Sequence, residues 1–286
     1  TNPPFNRIVA VGESPVNLTM VGVKVRNSTG QPLANVPIGY KISGPYLPLG
    51  SGITDPNGEI NQLIDGLHGN VFVRALINGT YSSQKLVSTA QSYVEFSTVL
   101  ATLRLISSQG TPLSATDFAL RTTGFTSLGG GETVSVELLP VNQIVRVQYN
   151  GAFLTLKQNV GQNPLVTFQT ILATVELTNS LGQQGIAEDF RVKTPAWSSL
   201  GGGNQVTVEL LPATHVFAAV LRGRANTKKQ NLNANPVVTF TTIATTVNVE
   251  NSGGLPQQVN SIQHLSSNGW NTIASNASTA SVELLS

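Results

Sequence analysis

Thr98-Val-Leu-Ala-Thr-Leu-Arg-Leu-Ile-Ser-Ser-Gln-Gly110 decides the fold of this chain. Leu103 and Leu105 flank Arg104, so one side of the segment is apolar and the other polar. That period of two marks a half-buried β-strand. Gly110 ends the segment where a turn calls for a positive φ. The same arrangement returns at Thr170–Gly182 and Thr242–Gly254, displaced by 72 residues each time, with Val175 and Leu177 around Glu176 and Val247 and Val249 around Asn248. A repeat of this length denotes a row of small units rather than one large domain.

Further strands follow around this one. Val134, Val136 and Leu138 alternate, as do Val206, Val208 and Leu210, and Ala280, Val282 and Leu284. Val145, Val147 and Tyr149 form another set, matched by Phe217, Ala219 and Leu221 and by Val73, Ala75 and Ile77. Asn78-Gly79 and Asn150-Gly151 are hairpin turns. Gly129–Gly131 and Gly201–Gly203 are expected as loops before the mid-unit strand, with Asp55-Pro-Asn-Gly58 in that place near the N-terminus. No stretch follows a 3.6-residue period. The expected fold is all-β: a tandem array of small Ig-like or prealbumin-like β-sandwich modules, with boundaries at 1–97, 98–169, 170–241 and 242–286. The junctions 94–105, 166–177 and 238–249 contain neither Gly nor Pro. Flexible linkers are Gly- and Ser-rich, so each last strand should run straight into the next first strand and make a stiff rod.

The last module is incomplete. Val136-Glu-Leu-Leu-Pro140 returns as Val208-Glu-Leu-Leu-Pro212 and then as Val282-Glu-Leu-Leu285, where no counterpart of residues 141–168 follows. An unfinished sandwich exposes strand edges, a hazard in water unless they are paired. The pattern therefore predicts an acceptor surface at Val247, Val249, Ala280, Val282 and Leu284, with the vacancy beside the last three. The donor expected is the N-terminal segment of another copy, through Phe5, Ile8, Val9 and Val11, although Ile8–Val11 also suits the first strand of its own module.

Charged residues make up only 10% of the 286, the net charge is +2, and cysteine is absent. The near-neutral balance excludes strong electrostatic attraction to nucleic acid. The lack of cysteine excludes disulfides, thiolate metal sites and cysteine nucleophiles. No apolar run reaches the length of a transmembrane helix, so no membrane insertion is expected. The chain begins Thr1-Asn2-Pro3-Pro4 without Met, as a secreted protein does once its signal peptide is gone. An extracellular, cell-surface location is expected.

Two resemblances agree. Residues 18–38 (LTMVGVKVRNSTGQPLANVPI), Thr54-Asp-Pro-Asn-Gly-Glu59 and Gly69-Asn-Val-Phe-Val-Arg-Ala75 resemble a bacterial Ig-like domain of the invasin/intimin group 1 type. The later modules are similar to prealbumin-like repeats of surface proteins, carboxypeptidase-regulatory-like and collagen-adhesin B-type units. Glu137-Leu-Leu-Pro140 and Gln158-Asn-Val-Gly-Gln-Asn-Pro-Leu-Val-Thr-Phe168 carry that likeness. Adhesin units of that type often hold a Lys–Asn isopeptide bond. Here the first-strand positions are Arg104, Glu176 and Asn248, so the bond does not carry over. Both resemblances imply stalks, adhesins or fibre subunits, and neither implies catalysis or a cofactor.

The residues capable of chemistry support the same reading. His68, His215 and His264 fall at non-equivalent points and are expected in surface or packing roles. Asp55–Glu59 suits a type I turn better than a calcium loop, which wants more oxygens. Arg222, Arg224, Lys228 and Lys229 form the one basic cluster, read as a solvated hairpin, with an acidic partner, a polysaccharide or the acidic C-terminal module 242–286, as the sharper alternative. Phe125, Trp197 and Trp270 recur at matching places and are expected to plug a core or a junction rather than to stack on sugars. The function expected is a non-enzymatic subunit of a bacterial extracellular filament, pilus or sheath, binding copies of itself by strand complementation. The alternative is a piece of a long adhesin stalk that binds a host or polysaccharide ligand.

Overall fold

A computed structural model describes residues 18–65, 71–86, 93–266 and 269–286, and these residues are strands and turns without a helix. Unit one holds β1 (Leu18–Arg26), β2 (Pro37–Lys41), β3 (Leu47–Ile53), β4 (Glu59–Asp65), β5 (Val71–Ile77), β6 (Thr80–Leu86) and β7 (Tyr93–Ser97). Unit two holds β8 (Val99–Ile106), β9 (Ala115–Arg121), β10 (Phe125–Gly131), β11 (Thr133–Leu138), β12 (Asn142–Tyr149), β13 (Ala152–Asn159) and β14 (Leu165–Gln169). Unit three holds β15 (Ile171–Thr178), β16 (Ala187–Thr194), β17 (Ala196–Gly203), β18 (Gln205–Leu210), β19 (Thr214–Leu221), β20 (Arg224–Asn231) and the first half of β21 (Val237–Asn248). The second half of β21 opens unit four, followed by β22 (Val259–Ser266), β23 (Gly269–Ala277) and β24 (Thr279–Leu285).

Units one to three share one topology. A three-stranded sheet has the unit's first strand in the middle, as in β11-β8-β14, and a four-stranded sheet runs β10-β9-β12-β13. The last strand lies parallel to the first, Val166 opposite Leu103 and Phe168 opposite Leu105, while the fourth is antiparallel on the other edge. Alternation places Ala101, Leu103 and Leu105 inward and Leu100 outward, the two-residue period of a strand with one wet face. Units one to three each hold a core, around Val23 and Phe96, around Leu103, Phe118 and Phe168, and around Val175, Phe190 and Phe217. Burying one such side chain contributes about 1.5–3 kcal/mol.

At each junction the last strand of one unit runs almost directly into the first strand of the next, as the sequence implies. One residue separates β7 from β8 and β14 from β15, and β21 runs unbroken through the third junction. The residues at the crossings, Thr98, Thr170 and Thr242, are buried.

Two expectations need correction. Gly129–Gly131 and Gly201–Gly203 are not loops but the ends of β10 and β17, where the ladder shifts register. Gly130 and Gly202 press against the neighbouring strand so closely that a Cβ would meet the carbonyl oxygens of Thr116 and Glu188 at 2.6 and 2.4 Å. Phe125, Trp197 and Trp270 plug no core. They lie within the first two residues of β10, β17 and β23, where Phe125 is half-buried, Trp197 exposed and Trp270 67% exposed. Phe125 instead lies with Phe153 against the Arg146 guanidinium, 4.0 and 4.5 Å from the ring centroids.

Candidate assembly interface

The turn after each first strand is fixed by its own side chain. In unit three the Asn179 side-chain oxygen accepts from the amides of Leu181 and Gln183, and Gly182 takes φ +76°. Ser180 is thereby presented outward, like Ser28 and Ser108 in the units before it. Each of these serines meets a glutamate of the following unit. Ser28 donates through hydroxyl and amide to Glu137, Ser108 to Glu209 and Ser180 to Glu283, with hydroxyl distances of 2.5 Å in all three. The second oxygen of each carboxylate also accepts from the crossing threonine, Thr98, Thr170 or Thr242. One carboxylate thus ties a turn, a crossing and a strand.

These bonds shift the acids. Burial pushes Glu137 and Glu209 upward, but the donors Ser28 and Thr98, and Ser108 and Thr170, outweigh it and hold both below the ordinary glutamate value. Glu283 is also lowered, chiefly by Ser180 and then Thr242.

The leucines after the glutamate complete the joint. Leu210 lies in the core of its own unit three, whereas Leu211 inserts into the core of unit two. Leu285 packs in the same way against unit three. The joint is backed by a buried polar residue at equivalent positions. Gln143 donates to the Leu139 carbonyl at 3.1 Å and accepts from Thr80 of unit one at 2.8 Å. His215 lies 3.0 Å from the Leu211 carbonyl, and burial pushes its pKa down against that hydrogen bond. The Asn78-Gly79 hairpin tip also leans on unit two, where Asn78 donates to the Glu137 carbonyl and Gly79 packs on Thr122.

Unit four is open. Its first strand, the second half of β21, pairs with β24 alone, and β22 pairs with β23 alone. The positions filled by β12, β13 and β14 in unit two have no counterpart among the described residues. Val247 is 37% exposed, whereas its equivalents Leu103 and Val175 are fully buried. Val249 is half-buried where Leu105 and Leu177 are closed off. Ala280 and Val282 are buried and Leu284 half-buried. β24 matches β11 and β18, which are themselves edge strands, so the free edge lies across β21 from β24 rather than beside Ala280, Val282 and Leu284. The donor residues Phe5, Ile8, Val9 and Val11 lie outside the described residues, as does His68.

Other sequence signals resolve locally. Asp55 caps its own turn, accepting from the amides of Asn57 and Glu59, while Glu59 pairs with Lys24 at 2.8 Å. The basic hairpin reaches unit four through Arg224, which donates to the Leu265 carbonyl at 3.3 Å, while Lys228 donates to that of Thr239 in its own unit three at 3.0 Å. A groove of about 340 Å³ beside Arg74 in unit one is bordered by Tyr46 and Tyr81, whose rings sandwich the guanidinium. It matches the Phe125–Arg146–Phe153 stack of unit two.

The Glu–Ser–Thr tie escaped the sequence reading, although both signals were visible: Glu-Leu-Leu recurs, and each copy of the 72-residue motif begins with the crossing threonine. Among the described residues no helix is long and apolar enough to cross a membrane, and no cluster of three or more His, Asp or Glu could hold a metal.

No family model and no curated protein matches this chain. Among solved structures it is similar to the Bacillus anthracis TIE protein at 8% identity and TM-score 0.24, over 78% of this chain and 50% of that one. It is also similar to BcpA, the major pilin subunit of Bacillus cereus, at 9% and 0.23 over 79% and 98%. A streptococcal ancillary pilin follows at 9% and 0.22 over 78% and 98%. The chain spans about half the length of the first of these. At such TM-scores the likeness is too distant to say anything of function.

Proposed function

We propose that this chain is a rigid, non-catalytic link of a bacterial extracellular filament, pilus or sheath, joined to its neighbour by strand addition at the open end of unit four. The observation that carries this is the exposure of Val247, in a register where Leu103 and Val175 are sealed. Main-chain pairing at such an edge supplies affinity and the alternating side chains supply specificity. A heterologous contact that does not close builds a fibre. The strand required runs parallel to β21 and carries apolar residues opposite Val247 and Val249, as Val166 and Phe168 do opposite Leu103 and Leu105. Within the chain's own sequence the donor is the Phe5–Val11 segment of another copy.

The test is electron microscopy and sedimentation of the full chain, of a deletion of residues 1–11 and of Val247→Asp. Polymers lost in both variants support the proposal, and polymers of normal length from both overturn it. Polymers lost only with Val247→Asp retain the edge and remove the N-terminal donor. A second reading, a link of a longer adhesin stalk, is favoured by one observation: unit one lacks the glutamate that ties every later unit to its predecessor. A native mass near 30.1 kDa supports the subunit, and a much larger one the stalk.

A further inference from the structure

The four-stranded sheet of unit one carries a pattern that units two and three do not repeat. Alternation sends Val71, Val73 and Ala75 into the core and Phe72, Arg74 and Leu76 to the outer face. Across the ladder Phe72 stands between Lys41 and Lys85, and Arg74 between Gly39 and Ser83. Cations and rings interleave there. The Lys41 ammonium lies 4.8 Å from the Tyr46 ring centroid and 5.6 Å from that of Phe72, beside the Tyr46–Arg74–Tyr81 stack. None of β2, β3, β5 and β6 contains an Asp or a Glu. The three cations thus face no counter-charge on their own sheet, and the Arg74 guanidinium donates no hydrogen bond among the described residues. Elsewhere such cations have company. Arg146 stands opposite Ala119, with Asp117 two residues away on the same face; the matching residue of unit one, two before Gly39, is Pro37. In unit three Arg191 pairs with Asp189 at 2.5 Å, and Arg224 and Lys228 are engaged by carbonyls.

We infer that this face of unit one binds an acidic polysaccharide, with one uronic-acid ring in the groove beside Arg74 and the adjoining sugars over Phe72, between Lys41 and Lys85. The groove of about 340 Å³ lies at the small end of the range that holds ligands, and apolar walls with one directional polar group are what such sites use. A carboxylate is planar and takes the guanidinium fork through two parallel bonds. The rings stacked on Arg74 hold that fork in place before the ligand arrives. A pyranose offers a flat face of C–H groups, which suits the negative face of an aromatic ring, and Phe72 and Tyr81 are 36% and 49% exposed. An acidic peptide brings the carboxylate without the flat ring, and its main chain finds no amide at the Pro37 and Pro48 walls. The site is complete within unit one and is independent of how the chain is joined to others.

The test is calorimetric titration of the full chain, at physiological salt, with tetragalacturonate, with the neutral galactose tetramer and with a tetraglutamate peptide. The expected result is binding of the uronate alone. Arg74→Gln should weaken it about tenfold, as the loss of a charged hydrogen-bond pair implies. Arg74→Lys should weaken it severalfold, because it keeps the charge and loses the fork. Arg146→Gln, in the matching stack of unit two, should change nothing. Thermal melting of each variant checks that unit one stays folded, and Lys85→Gln and Tyr81→Ala carry the same test if Arg74→Gln does not fold. Failure to bind the uronate overturns the inference. Equal binding of the neutral tetramer or of the peptide overturns it as well. Uronate binding that the unit-one variants leave untouched, or that Arg146→Gln weakens equally, is general charge attraction and also overturns it.

Discussion

Glu209 is bound by Ser108, 101 residues earlier, through a hydroxyl at 2.5 Å and an amide at 3.1 Å. The strand that carries Glu209 belongs to unit three and the turn that carries Ser108 to unit two, so the bond fixes how the two units meet. Charge-assisted bonds to backbone amides are about twice as strong as neutral ones. Because Thr170, at the crossing, donates to the same carboxylate, bending the joint breaks several bonds at once. The same constellation recurs at three successive joints.

Removing that carboxylate should loosen one joint and leave the cores closed. For Glu209→Gln we expect a loss of about 1–3 kcal/mol, and a smaller further loss when Ser108→Ala is added. The measurement is a double-mutant cycle by urea unfolding, with small-angle scattering to follow the angle between units. Additive losses would show that serine and glutamate do not act together.

Acid should act on the same bonds. Glu137, Glu209 and Glu283 all lie below the ordinary value of 4.5 in the folded chain. A depressed carboxylate contributes stability that is full above its unfolded pKa and is lost as pH falls through the folded one. Joint stability should thus hold from neutral pH down to about 4.5 and decline below it. Melting temperature against pH for the wild type and the triple Glu→Gln variant checks this: the two curves should converge in acid, and parallel curves refute it.

His215 gives a second pH dependence, at a higher pH. Burial disfavours its charged form, so its folded pKa lies below 6.5. The unfolded chain takes up the proton first, and stability should fall as pH drops below 6.5 until the folded histidine also titrates. Unit two uses the neutral Gln143 at this position, with the same bond to a leucine carbonyl. His215→Gln should therefore keep the joint and flatten the stability profile just below pH 6.5. A profile unchanged by the substitution would place the titration elsewhere.

Much of this was legible before any coordinates. Alternation at Leu103 and Leu105 gave the strand, its repetition gave the units, and the absence of Gly and Pro from 166–177 gave the stiff crossing. The partners of Glu137, Glu209 and Glu283 were not legible, because a hydrogen bond across about a hundred residues leaves no local period. Phe125 was misread for a related reason. Which face a strand residue occupies depends on register, and the register of β10 beside β9 puts Phe125 over Arg146 on the wet side. The Gly129–Gly131 run resembled a loop because glycine signals a turn more often than a bulged strand.

Two adjacent leucines offer the sharpest check on the joint. Leu210 ends β18 and Leu211 follows it; both are fully buried, yet the first fills unit three while the second fills unit two. Truncating a buried leucine to alanine costs about 2–5 kcal/mol, depending on how far the cavity collapses. Leu210→Ala should lower amide protection in β15–β21. Leu211→Ala should lower it in β8–β14, around Val145 and Val166, although the mutated residue is encoded beyond that unit. Native-state hydrogen exchange on the two single variants separates these outcomes. If Leu211→Ala deprotects unit three alone, then Leu211 is an ordinary core residue of its own unit, and the units are stacked without interlocking.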